Sequence, residues 1–382
     1  MKTTEPIGLY LHIPFCLRKC NYCDFCSFAD TGEREREGYV TSLCREIGAR
    51  ADALGHPAAD SVFFGGGTPS LLTAGQMERI LAAIAGSFPL TRDCEITAEV
   101  NPATADRARL SAYRAAGVNR LSVGMQSGAD RELELLGRVH RHADFLRTVE
   151  ALLSAGFCNW NADVMLGIPG QSRGSLAETL DGLLSLAPPH ISAYMLQIEE
   201  GTPFYRERDN LALPDDETTA VLYLDTCRRL REAGYAHYEI SNFALPGREC
   251  RHNLRYWLGG VYYGFGIAAH SYDGTRRYYN DCDLAAYTAG NCAQQPEDRP
   301  QDAEERRREY IMLRLRLARG IDTAEYRLRF GEDFAGRYEP FLRDWISHGL
   351  MERAGERIFL TERGMLVSNG MLEALLFGDT VG

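Results

Sequence analysis

Three cysteines stand close together near the start of the chain, Cys16, Cys20 and Cys23, in the run His12-Ile-Pro-Phe-Cys-Leu-Arg-Lys-Cys-Asn-Tyr-Cys-Asp-Phe25. A four-iron four-sulfur cluster takes four ligands, usually thiolates, so a loop that offers three leaves one iron open to bind something else. Structural zinc is the competing chemistry, because a C-x-x-C pair is half of many zinc sites. It needs a second pair, and Cys44, Cys94, Cys158, Cys227, Cys250, Cys282 and Cys292 are scattered singly. Only Cys26 lies near, and three evenly spaced cysteines do not make the separated knuckles of a zinc ribbon, so zinc stays the minor alternative. The odd, low count of 11 cysteines in 382 residues and the lack of an opening hydrophobic signal argue against a disulfide framework. They predict the reducing cytoplasm.

Further polar groups fall at the ends of strand-like runs. Gly65-Gly66-Gly67-Thr68 offers a tight turn with permissive backbone angles. Glu99 is a pure acceptor when ionised, suited to an ammonium or a hydroxyl, with helix capping or a structural salt bridge as its plainer roles. Gln126 ends a fourth strand, and the fork of Arg138, shortly after, suits a carboxylate. Asp163 sits in an otherwise apolar strand, a costly placement unless a partner such as a diol pairs with it.

The elements that must position these groups alternate regularly. Short β-branched or aromatic runs at Leu9–Ile13, Ser61–Phe64, Glu95–Glu99, Arg120–Val123, Asn161–Met165 and His190–Tyr194 are separated by amphipathic helical stretches. That pattern predicts an α/β fold with a parallel sheet of six β/α units, closing into a barrel or partial barrel with its reactive groups at the carboxyl ends of the strands. After Tyr194 the repeat ends. A helix is expected from Asp216 to Ala233, a strand near Tyr235–Ile240, and a polar, proline-broken linker over 294–302. The predicted domains are 1–293, with its core in 1–200, and 303–382, a small winged-helix-like α+β domain of helices followed by two short strands. No basic recognition helix stands out there, which favours a packing role.

At 45% hydrophobic and 25% charged the composition is that of a soluble globular protein, and the apolar runs fall short of the ~20 residues of a membrane helix. At most a peripheral membrane contact is expected. The net charge of -11 argues against nucleic-acid binding, which needs a cationic face.

The cysteine run, the glycine turn and the strand-end residues together resemble the radical S-adenosylmethionine superfamily. That resemblance implies a 4Fe-4S cluster on Cys16, Cys20 and Cys23 and a cofactor held by Tyr10, Tyr22, Gly66, Gly67, Thr68, Glu99, Gln126, Arg138 and Asp163, with the glycine backbone taking the methionine end of S-adenosylmethionine. It also implies a partial (β/α)6 TIM-like barrel and a C-terminal domain of the HemN-C kind. Within the superfamily, Glu199-Glu-Gly-Thr-Pro203, Tyr238-Glu-Ile-Ser-Asn242 and Cys250-Arg-His-Asn-Leu-Arg-Tyr-Trp257 resemble oxygen-independent coproporphyrinogen III oxidase and, more closely, the related heme chaperones of the HemW type. The oxidase places a further cysteine two residues after the third; here that residue is Phe25, and Cys23-Asp-Phe25 is similar to the chaperone pattern. Cys26 stands where that pattern has Asn, without an assigned role. The resemblance implies heme binding through His252, with Cys250 and His270 as lesser candidates, no catalytic residue, an electron donor for the cluster, and transfer of heme to an acceptor such as a membrane-bound respiratory enzyme. Radical-initiated decarboxylation of coproporphyrinogen III is the alternative.

Overall fold

Runs that bury both faces become adjacent parallel strands. The computed structural model describes residues 5–291, 294–296 and 301–377. In it β1 (Ile7–Ile13), β2 (Ala59–Gly66), β3 (Leu90–Val100), β4 (Arg120–Gln126), β5 (Trp160–Leu166) and β6 (His190–Met195) pair in sequence order, all parallel. Helices Glu33–Leu54, Ala74–Ser87, Arg107–Ala116, His142–Ser154 and Arg173–Ser185 return the chain between them. Their starts are chemically marked: Thr73 and Gln76 form a capping box, and Asp106 and Ser172 accept from backbone N–H groups one turn on. Leu9, Leu11 and Ile13 of β1 are fully buried in one core with Val40, Leu43 and Ile47 of the first helix. The other residues of each strand are thereby turned toward the opposite face.

The sheet does not close on itself. Beyond β6 lie β7 (Ala236–Glu239) and β8 (Asn242–Ala244), with β8 antiparallel to β6. On the other side β9 (Tyr262–Phe265) pairs in parallel with β1, followed by antiparallel β10 (His270–Tyr272), β11 (Arg277–Asn280) and β12 (Gln294–Pro296). The twelve strands run β12-β11-β10-β9-β1-β2-β3-β4-β5-β6-β8-β7, an open partial barrel carried past both of its ends. The start of the expected linker is thus a strand. Pro296 lies on the outermost strand, the place in a sheet where proline is tolerated. Residues 297–300 of that linker fall outside the described residues.

The C-terminal part packs helices Ala303–Leu315, Thr323–Phe330 and Glu339–Ser347 against a three-stranded sheet of β13 (Ile321–Asp322), β14 (Met351–Ala354) and β15 (Arg357–Leu360), ordered β13-β15-β14. Backbone bonds from Ile240 N to Arg316 O (2.8 Å) and from Ala318 N to Tyr238 O (3.1 Å) fasten it beside β7. No helix among the described residues is long and apolar enough to cross a membrane.

Candidate cluster and cofactor site

Alternate residues of the parallel strands converge on one cavity of about 540 Å³ at their carboxyl ends. β4 contributes Arg120, Ser122, Gly124 and Gln126; β5 contributes Asn161, Asp163 and Met165; β6 contributes Ser192 and Tyr194. This two-residue period is what a pleated strand imposes, and the size suits a cofactor. Tyr10, Tyr22, Gly66, Gly67, Thr68, Glu99, Arg138 and all three cysteines also line it, so every candidate for the cluster and S-adenosylmethionine reaches this cavity, while His252, Cys250 and His270 do not.

The cysteine loop is closed at its base by bonds from Cys16 N to Phe28 O (2.9 Å) and from Phe28 N to Pro14 O (2.7 Å). Arg18 holds its flank, donating to Gly137 O (3.0 Å) and Arg138 O (2.8 Å). The glycine turn lies directly against it: Gly67 N donates to Ile13 O at 2.9 Å. A Cβ on Gly67 would sit 2.8 Å from Ile13 O and Phe15 O, and one on Gly66, whose φ is +106°, would sit 2.5 Å from the His12 ring. Only glycine permits both approaches. The three thiols are unbridged and half-buried, with Thr68 Oγ1 3.6 Å from Cys16 Sγ and Arg138 Nη1 3.6 Å from Cys20 Sγ. Burial pushes the Cys23 thiol up to about 11, so a metal must displace its proton. Three convergent thiols with donors aimed at their sulfurs fit a 4Fe-4S cluster.

The cavity wall is electrostatically tense. Burial, reinforced by the nearby Asp163 charge, pushes the Glu99 carboxyl up to about 8, against a Gly66 N–H that favours ionisation. Burial also raises Asp163, although Asn161 Nδ2 donates to it at 2.6 Å. Gln126 sits at φ +65°, left-handed backbone rarely adopted by a side-chain-bearing residue, at a register shift between β4 and β5. Arg138 Nη2 donates to Asn101 Oδ1 (2.9 Å) and Gly124 O (3.0 Å), and its buried Nε has no partner. Tyr10 OH donates to His12 Nδ1 (3.1 Å), because His12 spends its Nε2 proton on Cys26 O (2.7 Å). Tyr22 packs beside Leu136, Ile168 and Phe204, and burial keeps its phenol protonated. Paired acids, an arginine and bare glycine backbone can together hold a zwitterion and a diol.

His252 stands elsewhere. It is 1% exposed, its Nδ1 is 3.0 Å from Ser61 Oγ, its Nε2 is 2.9 Å from Tyr256 OH, and its ring stacks on Phe63 at 5.3 Å. Burial and the Arg255 charge hold it down at about 3, so it is neutral, yet neither nitrogen is free for iron. In this structure the imidazole stands behind the wall that Phe63 presents to the cavity, with the Ser61 and Tyr256 hydroxyls on its two nitrogens. Around it Arg255 pairs with Asp60, and Trp257 O accepts from Arg314 Nη1 (2.9 Å). Asn253 is the member of this segment that lines the cavity. Cys250 is buried as a thiol beside Glu95, pushed up to about 12 by burial, and His270 stacks on Tyr279 outside the cavity lining.

Two further findings depart from the sequence reading. Cys26 is not a free thiol but is joined to Cys282. Arg120, Ser122, Asn161, Tyr194 and Asn253 line the cavity without having been singled out. For Arg120, Ser122 and Asn161 the signal was their phase, since each lies an even number of positions from Gln126 or Asp163 on the same strand; β6, which carries Tyr194, held no such reference. Arg120 is 2% exposed with no partner at Nε, a cation beneath the cavity. A second set of possible metal ligands, Cys227, His237 and Glu362, lies at the junction with the C-terminal part. Glu362 is already paired there with Arg231, and burial, reinforced by the Glu362 charge, pushes Cys227 up to about 12.

Residues 10–183 match the model of the radical SAM superfamily, and residues 301–367 match that of the HemN C-terminal domain. A heme chaperone HemW from Mycobacterium tuberculosis is 36% identical over 97% of this chain and 95% of that protein. The heme chaperone HemW of Escherichia coli K12 is 35% identical over 98% of this chain and 100% of its own length. Among solved structures, coproporphyrinogen III oxidase (HemN) from Escherichia coli, described as a radical SAM enzyme, superposes with a TM-score of 0.83 at 23% identity, covering 97% of this chain and 90% of that one. At that identity the likeness is one of fold.

Proposed function

The chain belongs to the HemW family of heme chaperones within the radical SAM superfamily, and from that premise we propose that it binds heme and hands it to an acceptor protein. The near-full-length likeness to curated heme chaperones carries the reading. Cys16, Cys20 and Cys23 would hold the 4Fe-4S cluster, and together with S-adenosylmethionine it would supply one-electron chemistry. Gly66, Gly67 and Thr68 would bind the methionine end of the cofactor, Glu99 and Asp163 would accept from its ammonium and ribose groups, and Arg138, whose Nη1 lies 3.6 Å from Cys20 Sγ, would meet its carboxylate. Tyr10, Tyr22 and Gln126 shape the remaining walls and exclude water.

Heme docks at the outer rim of the cysteine loop rather than at His252. There Leu17 and Phe25 are 51% and 62% exposed, unusual for large apolar side chains, beside the cations Arg18 and Lys19 that suit propionates. The protein works in the cytoplasm, takes electrons for its cluster from a donor, and delivers to an acceptor such as a membrane-bound respiratory enzyme. It has no nucleic-acid partner, and its membrane contact is peripheral at most. Heme titration of the purified protein, followed at the Soret band, is expected to saturate, and to weaken in Phe25→Asp. The reconstituted protein, with reductant and S-adenosylmethionine under anaerobic conditions, leaves coproporphyrinogen III unchanged. Formation of protoporphyrinogen, or a titration without saturation, sinks the chaperone reading.

A further inference from the structure

Cys26 and Cys282 are bonded across 256 residues of sequence, with Cα atoms 6.4 Å apart. Neither is a cluster ligand, and neither has a part in heme docking. Their surroundings differ sharply. Cys282 follows β11 on a firmly held edge: Asn280 Nδ2 donates to Glu46 Oε1 (2.7 Å), and the next helix, Leu284–Thr288, is tied to helix Glu33–Leu54 by Tyr287 OH to Glu46 Oε2 (2.6 Å) and Ser42 Oγ to Thr288 O (3.2 Å). Cys26 lies three residues past Cys23, in a stretch with no regular structure. Apart from the disulfide, residues 24–27 are held by Lys19 Nζ to Phe25 O (2.9 Å), Ser27 Oγ to the same carbonyl (3.3 Å) and His12 Nε2 to Cys26 O (2.7 Å).

We propose that Cys26–Cys282 is a redox-modification site that exchanges with small-molecule thiols and whose oxidised form clamps the cluster-binding loop to the β11 edge. Cys282 is exposed and Cys26 half-buried, so the attack falls on the Cys282 sulfur. An incoming thiolate forms a mixed disulfide with Cys282 and releases the Cys26 thiolate, which takes a proton. A second small thiolate attacks the sulfur of the first, forming the small disulfide and releasing the Cys282 thiolate, which takes a proton. In sum, one protein disulfide and two small thiols become two protein thiols and one small disulfide, and an oxidised small thiol drives the reverse. Reduction leaves residues 24–27 on side-chain hydrogen bonds alone beside the ligand Cys23, while β11 keeps its own fastenings. The clamp does not rest on the heme reading: it is carried by the disulfide and by the uneven fastening of its two ends.

The test uses the full-length apo-protein, handled anaerobically and equilibrated with glutathione at set ratios of disulfide to thiol. Alkylation and peptide mass spectrometry then read the state of each cysteine, and hydrogen exchange reads the loop. A peptide pair linked through Cys26 and Cys282 is expected under oxidising ratios. Amide exchange across 24–27 should be roughly tenfold slower in the oxidised wild type than in the reduced one. Cys282→Ser and Cys26→Ser should both exchange like the reduced wild type at every ratio. Separate alkylation of Cys26 and Cys282 under oxidised glutathione overturns the site. A linked pair without a change in exchange overturns the clamp.

Discussion

The loop carrying Cys16, Cys20 and Cys23 and the segment His252–Trp257 both hold residue types that bind iron, and the fold treats them in opposite ways. In the loop the sulfurs face a cavity, half-buried, with donors from Thr68 and Arg138 nearby and valences to spare. In the segment both His252 nitrogens are engaged, by Ser61 and Tyr256, and Arg255 is paired with Asp60. The difference teaches that a metal-binding residue type becomes a site only where the fold leaves its donor atom unsatisfied and within reach. Where it does not, the same residue is a structural polar group whose value lies in its hydrogen bonds.

The sharpest way to break that contrast is to remove one donor from each side. Cys20→Ser should abolish the cluster's visible absorbance and bound iron entirely while moving the urea midpoint of the apo-protein little, because a half-buried thiol contributes little packing. His252→Ala should do the reverse. It removes a fully buried, stacked ring and leaves the Ser61 and Tyr256 hydroxyls unpaired, for a loss on the order of 3–5 kcal/mol in urea unfolding, with a Soret titration unchanged at saturation. A variant that keeps its stability and loses the Soret band would put His252 back among the heme ligands. Gly67→Ala lies between the two. Its Cβ meets two carbonyl oxygens at 2.8 Å, so apo stability should fall by about 1–3 kcal/mol and iron occupancy should fall with it.

The smallest effect concerns protons. Glu99 is raised from its ordinary 4.5 to about 8, so between those pH values the folded chain keeps a proton that the unfolded chain has lost. Its contribution therefore turns against the fold as pH rises through that window and is constant above it. Glu99→Gln should match wild type near pH 4 and exceed its stability at pH 8. A cationic ligand must expel the same proton. The affinity of the holo-protein for S-adenosylmethionine should thus climb with pH to about 8, by up to about tenfold per unit, and stay flat in Glu99→Gln. An unchanged slope in the variant would remove Glu99 from the ammonium site.

Much of this site was legible in the chain. The six parallel strands announced themselves because both faces are buried and each run is long enough to read, and the residues named at their ends fall on one cavity. The phase of β4 carried more than was taken from it: with Gln126 placed, Gly124, Ser122 and Arg120 follow on the same face. The edge strands were harder to read. β8, β10 and β12 have three residues each, too few for a period, and β12 carries a proline that reads as a break. The pairing of Cys26 with Cys282 had no local signal at 256 residues' separation, and the sealing of His252 depends on Ser61 and Phe63, partners distant in sequence. Local pattern reports phase and capping; what surrounds a side chain is decided by strands that meet only once the sheet exists.

β1, which delivers the cysteine loop, lies in the interior of the twelve-stranded sheet, paired with β2 on one side and β9 on the other. Its shape is therefore paid for by neighbours rather than by iron. Small zinc-dependent modules reach their fold only on metal uptake, whereas this scaffold can be complete beforehand. A chelator is therefore expected to leave the chain a folded vessel, ready to be refilled.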